Sequence, residues 1–279
     1  MLIPTQDMIR TYVEKSKRAP RSQWYFIQCD VVAKPLKSLF PHVHREEIHY
    51  NLLEQGLFEP EERNHLLHTL NKMEELQLWR FVEREYKLLK RKWKGPDIPI
   101  YIFPIKKAQQ ATRKQAVKKN GLAYKEVIFL FLSPYVNKEE IKALLAHEYS
   151  HVCRLASGQT ELQELTLSDS IIMEGIGEYA VKEQCGDEWL APWTSLYSEE
   201  QALDCWNKEF LHQLSRKGLD HHQIYLYGNG TRRLPKWMGY HLGYRIIHAY
   251  MKRHPSLHTE DLLAASTEEL LQGSGFPTE

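Results

Sequence analysis

The sequence lacks a charge excess and a long apolar run, and we expect no secretory signal. Its 37 Lys and Arg against 36 Asp and Glu leave a formal net charge of +1, so neither nucleic acid nor a membrane surface is an expected partner. No stretch approaches the roughly 18 consecutive apolar residues of a membrane span. The first twenty residues have no apolar core followed by a small-residue cleavage site. We therefore expect a soluble, cytoplasmic protein.

Closely spaced cysteines are also missing. The four cysteines stand at positions 29, 153, 185 and 205, too far apart for a C-x-x-C motif. Such a set predicts ordinary free thiols rather than a disulfide framework. Internal repeats and low-complexity tracts are absent as well. What remains is an average globular composition, 42% hydrophobic and 26% charged over 279 residues, which predicts one large or two small domains with a substantial core.

The first third of the chain has helical periodicity. Apolar residues recur at mixed spacings of three and four over residues 66–82, which predicts one amphipathic helix running to about residue 92. Gly95-Pro96-Asp97 ends this pattern. We therefore divide the chain into an N-terminal helical region, residues 1–95, and a second domain, residues 96–279.

The second domain begins with two short runs of β-branched and aromatic residues, 98–103 and 127–132, which predict strands. Pro99 makes the first an edge strand or delays its start. Helices are predicted over about 138–158 after an Asn137 cap, over 168–185 with Gly186 as a left-handed cap, and from about 236 to before Pro255. Few strands among many helices predict an α+β fold.

The pentapeptide His147-Glu148-Tyr-Ser-His151 lies well inside one of these predicted helices. Residues four apart share a helix face, so both imidazoles can reach one Zn²⁺. Glu148, one position round, is close enough to take a proton from a water that zinc acidifies, and the resulting hydroxide attacks a polarised carbonyl. This is the H-E-x-x-H chemistry of metallopeptidases. The alternative is a surface cluster on a helix.

A catalytic zinc also needs a third protein ligand. The metzincin pattern is excluded, because it requires Gly and His where this chain has Arg154 and Ser157. The following helix instead offers Glu174 and Glu178 on one face. One of them can ligate zinc while the other accepts the N–H of a ligand imidazole. The alternative is that both carboxylates simply face solvent. If they are buried among their apolar neighbours, they require an ion pair or a metal. Close approach of another helix would explain Gly175 and Gly177.

Glu174-Gly-x-x-Glu178-Tyr after H-E-x-x-H resembles the gluzincin peptidases, including thermolysin and the aminopeptidase N group. The resemblance implies that Glu174 is the third zinc ligand and that Glu178 supports a ligand His. The run from residue 128 through His147 to Gly175 is similar to the YjaZ-type family, described as zinc-dependent proteases by prediction and defined largely as a domain of unknown function. With further matches at 190–193 and 239–244, the similarity spans about residues 98–275. It implies a metallopeptidase-like site with one Zn²⁺ per chain.

Such a site also needs a hydrogen-bond donor for the oxyanion. Tyr240 and Tyr244 share one helical face, and either phenol is a candidate; aromatic core packing is the alternative for each. In the related peptidases the strand before the zinc helix is the sheet edge that pairs with substrate backbone. Residues 127–132 are candidates for this role by strand addition, with a plain core strand as the alternative.

Other signals indicate structure rather than function. Four histidines at short spacing, positions 42, 44, 65 and 68, have no acidic or cysteine partners arranged with them and are expected to be solvent-exposed. Cys153 is predicted to be a core thiol. Residues 87–119 contain eleven Lys and Arg and one acid, Asp97. A solvated face is the favoured interpretation of this run, and single-stranded nucleic acid binding is the alternative.

The leading hypothesis is a single-zinc metallohydrolase that acts on peptide or protein substrates, with the N-terminal helices as one wall or a lid of the cleft. His147, His151 and Glu174 hold zinc, Glu148 is the general base, Glu178 orients a ligand His, and Tyr240 or Tyr244 steadies the oxyanion. The rival hypothesis is a non-catalytic, zinc-containing peptide-binding or regulatory protein. Retention of Glu148, which a structural zinc does not need, favours catalysis.

Overall fold

The computed structural model describes residues 1–107, 117–158 and 164–278. The fold is α+β, as predicted: helices predominate and a small three-stranded mixed sheet accompanies them. Contacts group the chain into two compact units. Unit 1 is Met1–Lys90 with Asp97–Glu148, and unit 2 is Arg91–Pro96 with Tyr149–Glu279. The predicted division at residue 95 stays a prediction.

Twelve helices are found in the described residues, joined in places by short 3₁₀ or π turns. In chain order they are α1 (Thr5–Lys17), α2 (Trp24–Gln28), α3 (Arg45–Gln55), α4 (Arg63–Glu75), α5 (Leu78–Trp93), α6 (Lys138–Ser157), α7 (Leu167–Cys185), α8 (Glu199–Cys205), α9 (Leu219–Tyr227), α10 (Met238–Arg253), α11 (Thr259–Ala264) and α12 (Thr267–Ser274). The short helices α11 and α12, which follow Pro255, were not predicted.

The sheet belongs to unit 1 and has the order β1-β3-β2, with β1 (Ile100–Pro104), β2 (Lys119–Tyr124) and β3 (Val127–Leu132). β1 runs parallel to β3. β2 runs antiparallel to β3, and a two-residue turn connects β2 to β3. Pro99 acts as predicted, since β1 begins after it and lies at an edge. β2 was missed because its Asn120-Gly121 pair is typical of a turn and it contains no β-branched residue.

β3 occupies the centre of the sheet. All six of its residues are buried, and it pairs with β1 on one side and β2 on the other. Its backbone hydrogen-bonding groups are therefore used within the sheet. The prediction that residues 127–132 offer an edge to a substrate is wrong, and the core-strand alternative is correct. Among the described residues, β2 pairs with β3 alone, and its residues are all half-exposed.

The single helix predicted to run to residue 92 is two helices, α4 and α5. They are separated at Gln77, whose φ of 53° is left-handed. The Gln77 N–H donates to the Glu74 carbonyl over 2.8 Å, and the Gln77 carbonyl accepts from the Phe81 N–H over 3.0 Å. Periodicity did not reveal the break, because both helices bury apolar residues and one left-handed residue hardly interrupts the pattern.

The helices that carry the candidate site are well capped. At α6 the Glu140 N–H donates to Asn137 Oδ1 over 2.7 Å, and the Asn137 N–H donates to Glu140 Oε2 over 3.0 Å, as predicted. α7 begins with a reciprocal capping box between Thr166 and Asp169. It ends at Gly186, whose φ of 99° is positive, but whose ψ of 168° is not that of the left-handed cap predicted there.

In unit 2, α7 packs closely against α10. A Cβ at Gly175 would overlap the carbonyl oxygen of Gly243, and a Cβ at Gly243 would overlap the carbonyl of Ile171. The two backbones therefore touch, which confirms that helix approach accounts for glycine at position 175. None of the helices in the described residues is long and apolar enough to cross a membrane.

Gly175→Ala tests this contact. Alanine in place of glycine inside a helix ordinarily stabilises it by about 1 kcal/mol. Here we expect the free energy of unfolding to fall by about 1–3 kcal/mol, because the added methyl group forces the helices apart. Urea denaturation monitored by circular dichroism measures the change. A rise in the unfolding free energy would contradict the backbone contact.

Candidate metal centre

Helix α6 presents His147 and His151 one turn apart. His151 is 8% exposed and His147 is half-buried. Because the capped helix is regular over Lys138–Ser157, residues four apart stand one above the other and their imidazoles share a side. The first two ligand candidates are thus placed by helix geometry alone.

Glu174 reaches this pair from α7. Its Oε2 lies 3.6 Å from His151 Nε2, and the two side chains are 12% and 10% exposed. One ligand atom from each of His147, His151 and Glu174 lies within 4.8 Å of the others. Among the described residues this is the one such group of three or more His, Cys, Asp and Glu side chains. The structure therefore brings together the three residues that the sequence predicted as ligands.

These donors fit zinc. Two imidazole nitrogens and one carboxylate oxygen form a ligand set used by catalytic zinc, which leaves a fourth position open. Bonds of about 2.0–2.1 Å in a tetrahedron place neighbouring donors roughly 3.4 Å apart, close to the observed 3.6 Å between His151 and Glu174. Small adjustments of side chains would therefore be enough to close the group around an ion. That these residues are ligands stays a prediction.

Glu148 lies against β2, a contact that the sequence did not reveal. A Cβ at Gly121 would overlap the carboxylate of Glu148, so a glycine at this position leaves the space that the side chain occupies. Lys119 contacts the same helix, donating from Nζ to the Glu140 carbonyl over 2.9 Å. The edge strand thus runs beside the helix that carries the candidate base. The one signal in the sequence was an isolated glycine before a short apolar stretch, which is weak.

The side of α6 that faces away from His147 and His151 packs against residues around Pro96. The Tyr149 phenol donates to the Pro96 carbonyl over 2.9 Å, and its ring stacks on Trp93 with centroids 5.9 Å apart. Cys153 is buried, and burial raises the pKa of its thiol to about 12. The prediction of a core thiol is confirmed. Trp93 and Pro96 therefore hold α6 on the side that faces away from the candidate ligands.

Arg154, which excluded the metzincin pattern, ties α6 to the end of the chain. Its Nη1 donates to the Leu262 and Leu263 carbonyls, each over 3.3 Å, and also to the Ala265 carbonyl. Its Nη2 donates to Thr267 Oγ1 over 3.2 Å. These bonds satisfy carbonyls at the C-terminal end of α11, which helix geometry leaves without partners. Arg154 therefore has a structural role in fixing α6.

Glu178 is buried on α7, one turn after Glu174. One of its carboxylate oxygens accepts the backbone N–H of Ala191. This bond fastens the segment after α7, where the sequence resembled the family at 190–193. The role of Glu178 in orienting a ligand imidazole stays a prediction.

Tyr240 and Tyr244 are both buried on α10. Burial, together with the charges of Asp187 and Glu178, raises the pKa of Tyr244 to about 12. Tyr240 packs among aromatic rings, with centroid distances of 5.2, 5.3 and 5.2 Å to Trp193, Tyr227 and Trp237. Aromatic packing therefore holds the Tyr240 ring in place.

The backbone contact between α7 and α10 does not single out either tyrosine. Gly175 lies against Gly243, and Gly243 lies against Ile171. The role of Tyr240 or Tyr244 as oxyanion donor stays a prediction.

The residues that the sequence set aside are outside this group. The histidines at positions 42, 44, 65 and 68 are exposed, as expected. In the basic run, residues 108–116 lie outside the described residues. Three of the lysines before them pair with acids: Lys90 with Asp97 at 3.0 Å, Lys92 with Glu183 at 3.4 Å and Lys94 with Glu260 at 2.6 Å. This pairing favours the solvated-face interpretation.

The candidate ligands define a possible zinc site, and comparison with known sequences gives the family of the chain. The profile of a family described as predicted Zn-dependent protease (DUF2268) matches residues 78–272, and the chain belongs to this family. Uncharacterized protein YjaZ of Bacillus subtilis (strain 168) is 36% identical over 187 residues, 66% of this chain and 70% of that protein. Uncharacterized protein YjfC of the same organism is 25% identical over 129 residues, 42% of each chain. No solved structure is significantly similar to the chain.

Glu174→Ala tests the metal centre. We expect the wild type to bind about one Zn²⁺ per chain and the variant to bind it at least about a hundredfold more weakly, because loss of a ligand costs more than loss of a supporting partner. Elemental analysis after dialysis against buffered zinc measures both. Glu183→Ala, which removes another carboxylate from α7, is the matched control and should keep its zinc. Equal zinc content in all three proteins would exclude Glu174 as a ligand.

Proposed function

We propose that this protein is a zinc-dependent peptidase that hydrolyses peptide bonds with Glu148 as general base. One observation carries the proposal: Glu148 directly follows the candidate ligand His147 in the chain, and its carboxylate lies against Gly121 of the edge strand β2. A structural zinc requires the three ligands but not an acid beside them.

His147, His151 and Glu174 would hold the zinc. When bound, zinc lowers the pKa of water and polarises a carbonyl group. Glu148 accepts the proton of the attacking water on its carboxylate and later delivers that proton to the amine that leaves. A carboxylate that takes and returns one proton in this way contributes typically 10²–10⁴-fold to the rate.

The edge of β2 that faces away from β3 is the proposed binding site for substrate backbone. A peptide that adds to β2 as a further strand pairs through main-chain hydrogen bonds, which gives affinity without strong side-chain selection. Gly121 allows such a peptide to run close to Glu148, because no side chain stands between the strand and the carboxylate. The sequence suggested this role for β3, and we propose it for β2 instead.

Tyr240 is the proposed oxyanion donor. A phenol at the site can donate a hydrogen bond to the carbonyl oxygen as negative charge develops on it. The aromatic rings around Tyr240 fix its orientation in advance, so little ordering is needed during the reaction. Tyr244 lies one turn later on α10. Its raised pKa keeps the phenol protonated, so that it could donate a hydrogen bond as well.

The alternative function is a peptide-binding or regulatory protein that holds zinc without turnover. It uses the same three ligands and the same strand edge. The contact of Glu148 with Gly121 favours catalysis, because it leaves the carboxylate beside the proposed peptide path.

Glu148→Gln separates the two functions. We expect kcat to fall by about a hundred- to ten-thousandfold while zinc stays bound, because the amide cannot accept the proton of water. Hydrolysis of a mixed peptide library, followed by mass spectrometry, and zinc analysis of the same sample measure both properties. Glu139→Gln, near the start of the same helix, is the matched control. Full activity in Glu148→Gln would reject the mechanism, and an inactive wild type that holds zinc and binds peptide would favour the regulatory alternative.

Tyr240→Phe and Tyr244→Phe test the oxyanion donor. We expect Tyr240→Phe to lower kcat by about a hundred- to thousandfold with little change in KM, as for removal of one oxyanion donor. Tyr244→Phe removes the same hydroxyl group one turn later on α10 and should cost much less if Tyr240 is the donor. Steady-state kinetics on a cleaved peptide gives both constants, and the reverse order of effects would assign the role to Tyr244.

A further inference from the structure

Unit 1 contains a small apolar cavity of about 160 Å³, which we call the Tyr124 pocket. It lies where β2 and β3 meet α3 and the segment before α3. Its apolar lining comes mainly from Phe40, Val43, Ile48, Tyr124 and Phe129. Nothing in the proposed zinc chemistry uses it.

The pocket lies on the face of β2 that is turned away from α6. Side chains alternate between the two faces of a strand. Lys119 and Gly121 contact α6, as described above. Asn120 donates to the Gln55 carbonyl over 2.7 Å, and the Tyr124 phenol donates to Asn51 Oδ1 over 3.3 Å. Both of these bonds go to α3, so the pocket is on the α3 face of the edge strand.

The size and lining of the Tyr124 pocket suit one aromatic ring. A cavity of about 150 Å³ lined by apolar side chains holds a molecule of benzene, and this pocket has a similar volume. Phe40 and Tyr124 meet edge to face at 5.0 Å, and Tyr124 and Phe129 do so at 6.5 Å. A further ring can extend the same edge-to-face arrangement.

The polar groups of the pocket disfavour charged occupants. Glu47 and Asn51 line it and are exposed, so they stand at its rim. The Glu47 carboxylate repels an acidic side chain. A cationic side chain would lose its hydration among the apolar lining residues and gain only one solvent-screened partner. An uncharged aromatic group avoids both costs.

The pocket lies at a defined distance from the candidate base along β2. Gly121 abuts Glu148, and Tyr124 is three residues farther on, about 10 Å at roughly 3.3 Å per residue. A peptide paired with the outer edge of β2 directs alternate side chains to the α3 face. A side chain two or three residues from the bond beside Glu148 therefore reaches the level of the pocket.

We infer that the Tyr124 pocket binds an aromatic side chain of a peptide lying along β2. It thereby selects substrates that carry an aromatic residue two or three positions from the cleaved bond. The inference rests on the proposed function for the path of the peptide. It also gives the N-terminal region a part in substrate recognition, since Phe40, Val43 and α3 all precede residue 95.

Peptide series that differ at one position test the pocket. We expect the wild type to cleave peptides with Phe two or three residues from the cleaved bond roughly ten- to a hundredfold faster, in kcat/KM, than the same peptides with Ala. Val43→Phe fills the pocket from its half-buried edge and should bring this ratio close to one. Ile27→Phe, a half-buried substitution on α2 outside the pocket, is the matched control and should keep the ratio.

Phe40→Ala provides a second variant if Val43→Phe does not fold. It enlarges the pocket and should shift the preference from Phe towards Trp. A ratio that is the same in both variants and in the wild type would overturn the inference.

Peptide binding to Glu148→Gln separates this inference from the proposed function. Isothermal titration with the Phe and Ala peptides needs no turnover. Cleavage by the wild type without a preference for Phe overturns the pocket and leaves the peptidase proposal standing. An absence of cleavage, with Phe peptides bound at least tenfold more tightly and Val43→Phe removing the difference, supports the pocket and overturns the peptidase proposal. An absence of both cleavage and selective binding overturns both.

Discussion

The approach of Glu174 to the histidine pair on α6 is the contact on which the candidate site depends. Ligand atoms of a carboxylate and two imidazoles, all at least partly withdrawn from water, lie within 4.8 Å of one another. Such polar groups are costly to bury unless they are paired or bind a cation. Zinc satisfies all three at once, because its preferred donors and bond lengths match the group. This is a physical reason, independent of sequence similarity, to expect a metal there.

Much of the surrounding structure keeps α6 and α7 in place. Arg154 fastens α6 to the C-terminal helices, and Tyr149 fastens its other side beside Trp93. α7 is held by its capping box and by backbone contact with α10 at Gly175 and Gly243. Helix packing thus fixes the position of the helix that carries Glu174.

The edge strand adds a second constraint. Because β3 is paired on both sides, a peptide can join the sheet only at an outer strand, and β2 is the one that runs beside Glu148. The two faces of β2 contact different elements. One face meets the candidate catalytic helix, and the other meets α3 and the Tyr124 pocket. A single strand therefore relates the chemistry of the site to its proposed selectivity.

The sequence by itself determined the features that depend on local spacing. Fourfold spacing within H-E-x-x-H and between Glu174 and Glu178, the Asn137 cap and the α+β class could all be predicted, because helix geometry relates neighbours in the chain directly. Only the tertiary structure decided that β2 exists, that β3 is central, that one helix breaks at Gln77 and that α7 and α10 touch at Gly175 and Gly243. These features depend on pairing and packing between segments far apart in sequence. A turn-like Asn-Gly pair becomes a strand only when a partner strand supplies its hydrogen bonds.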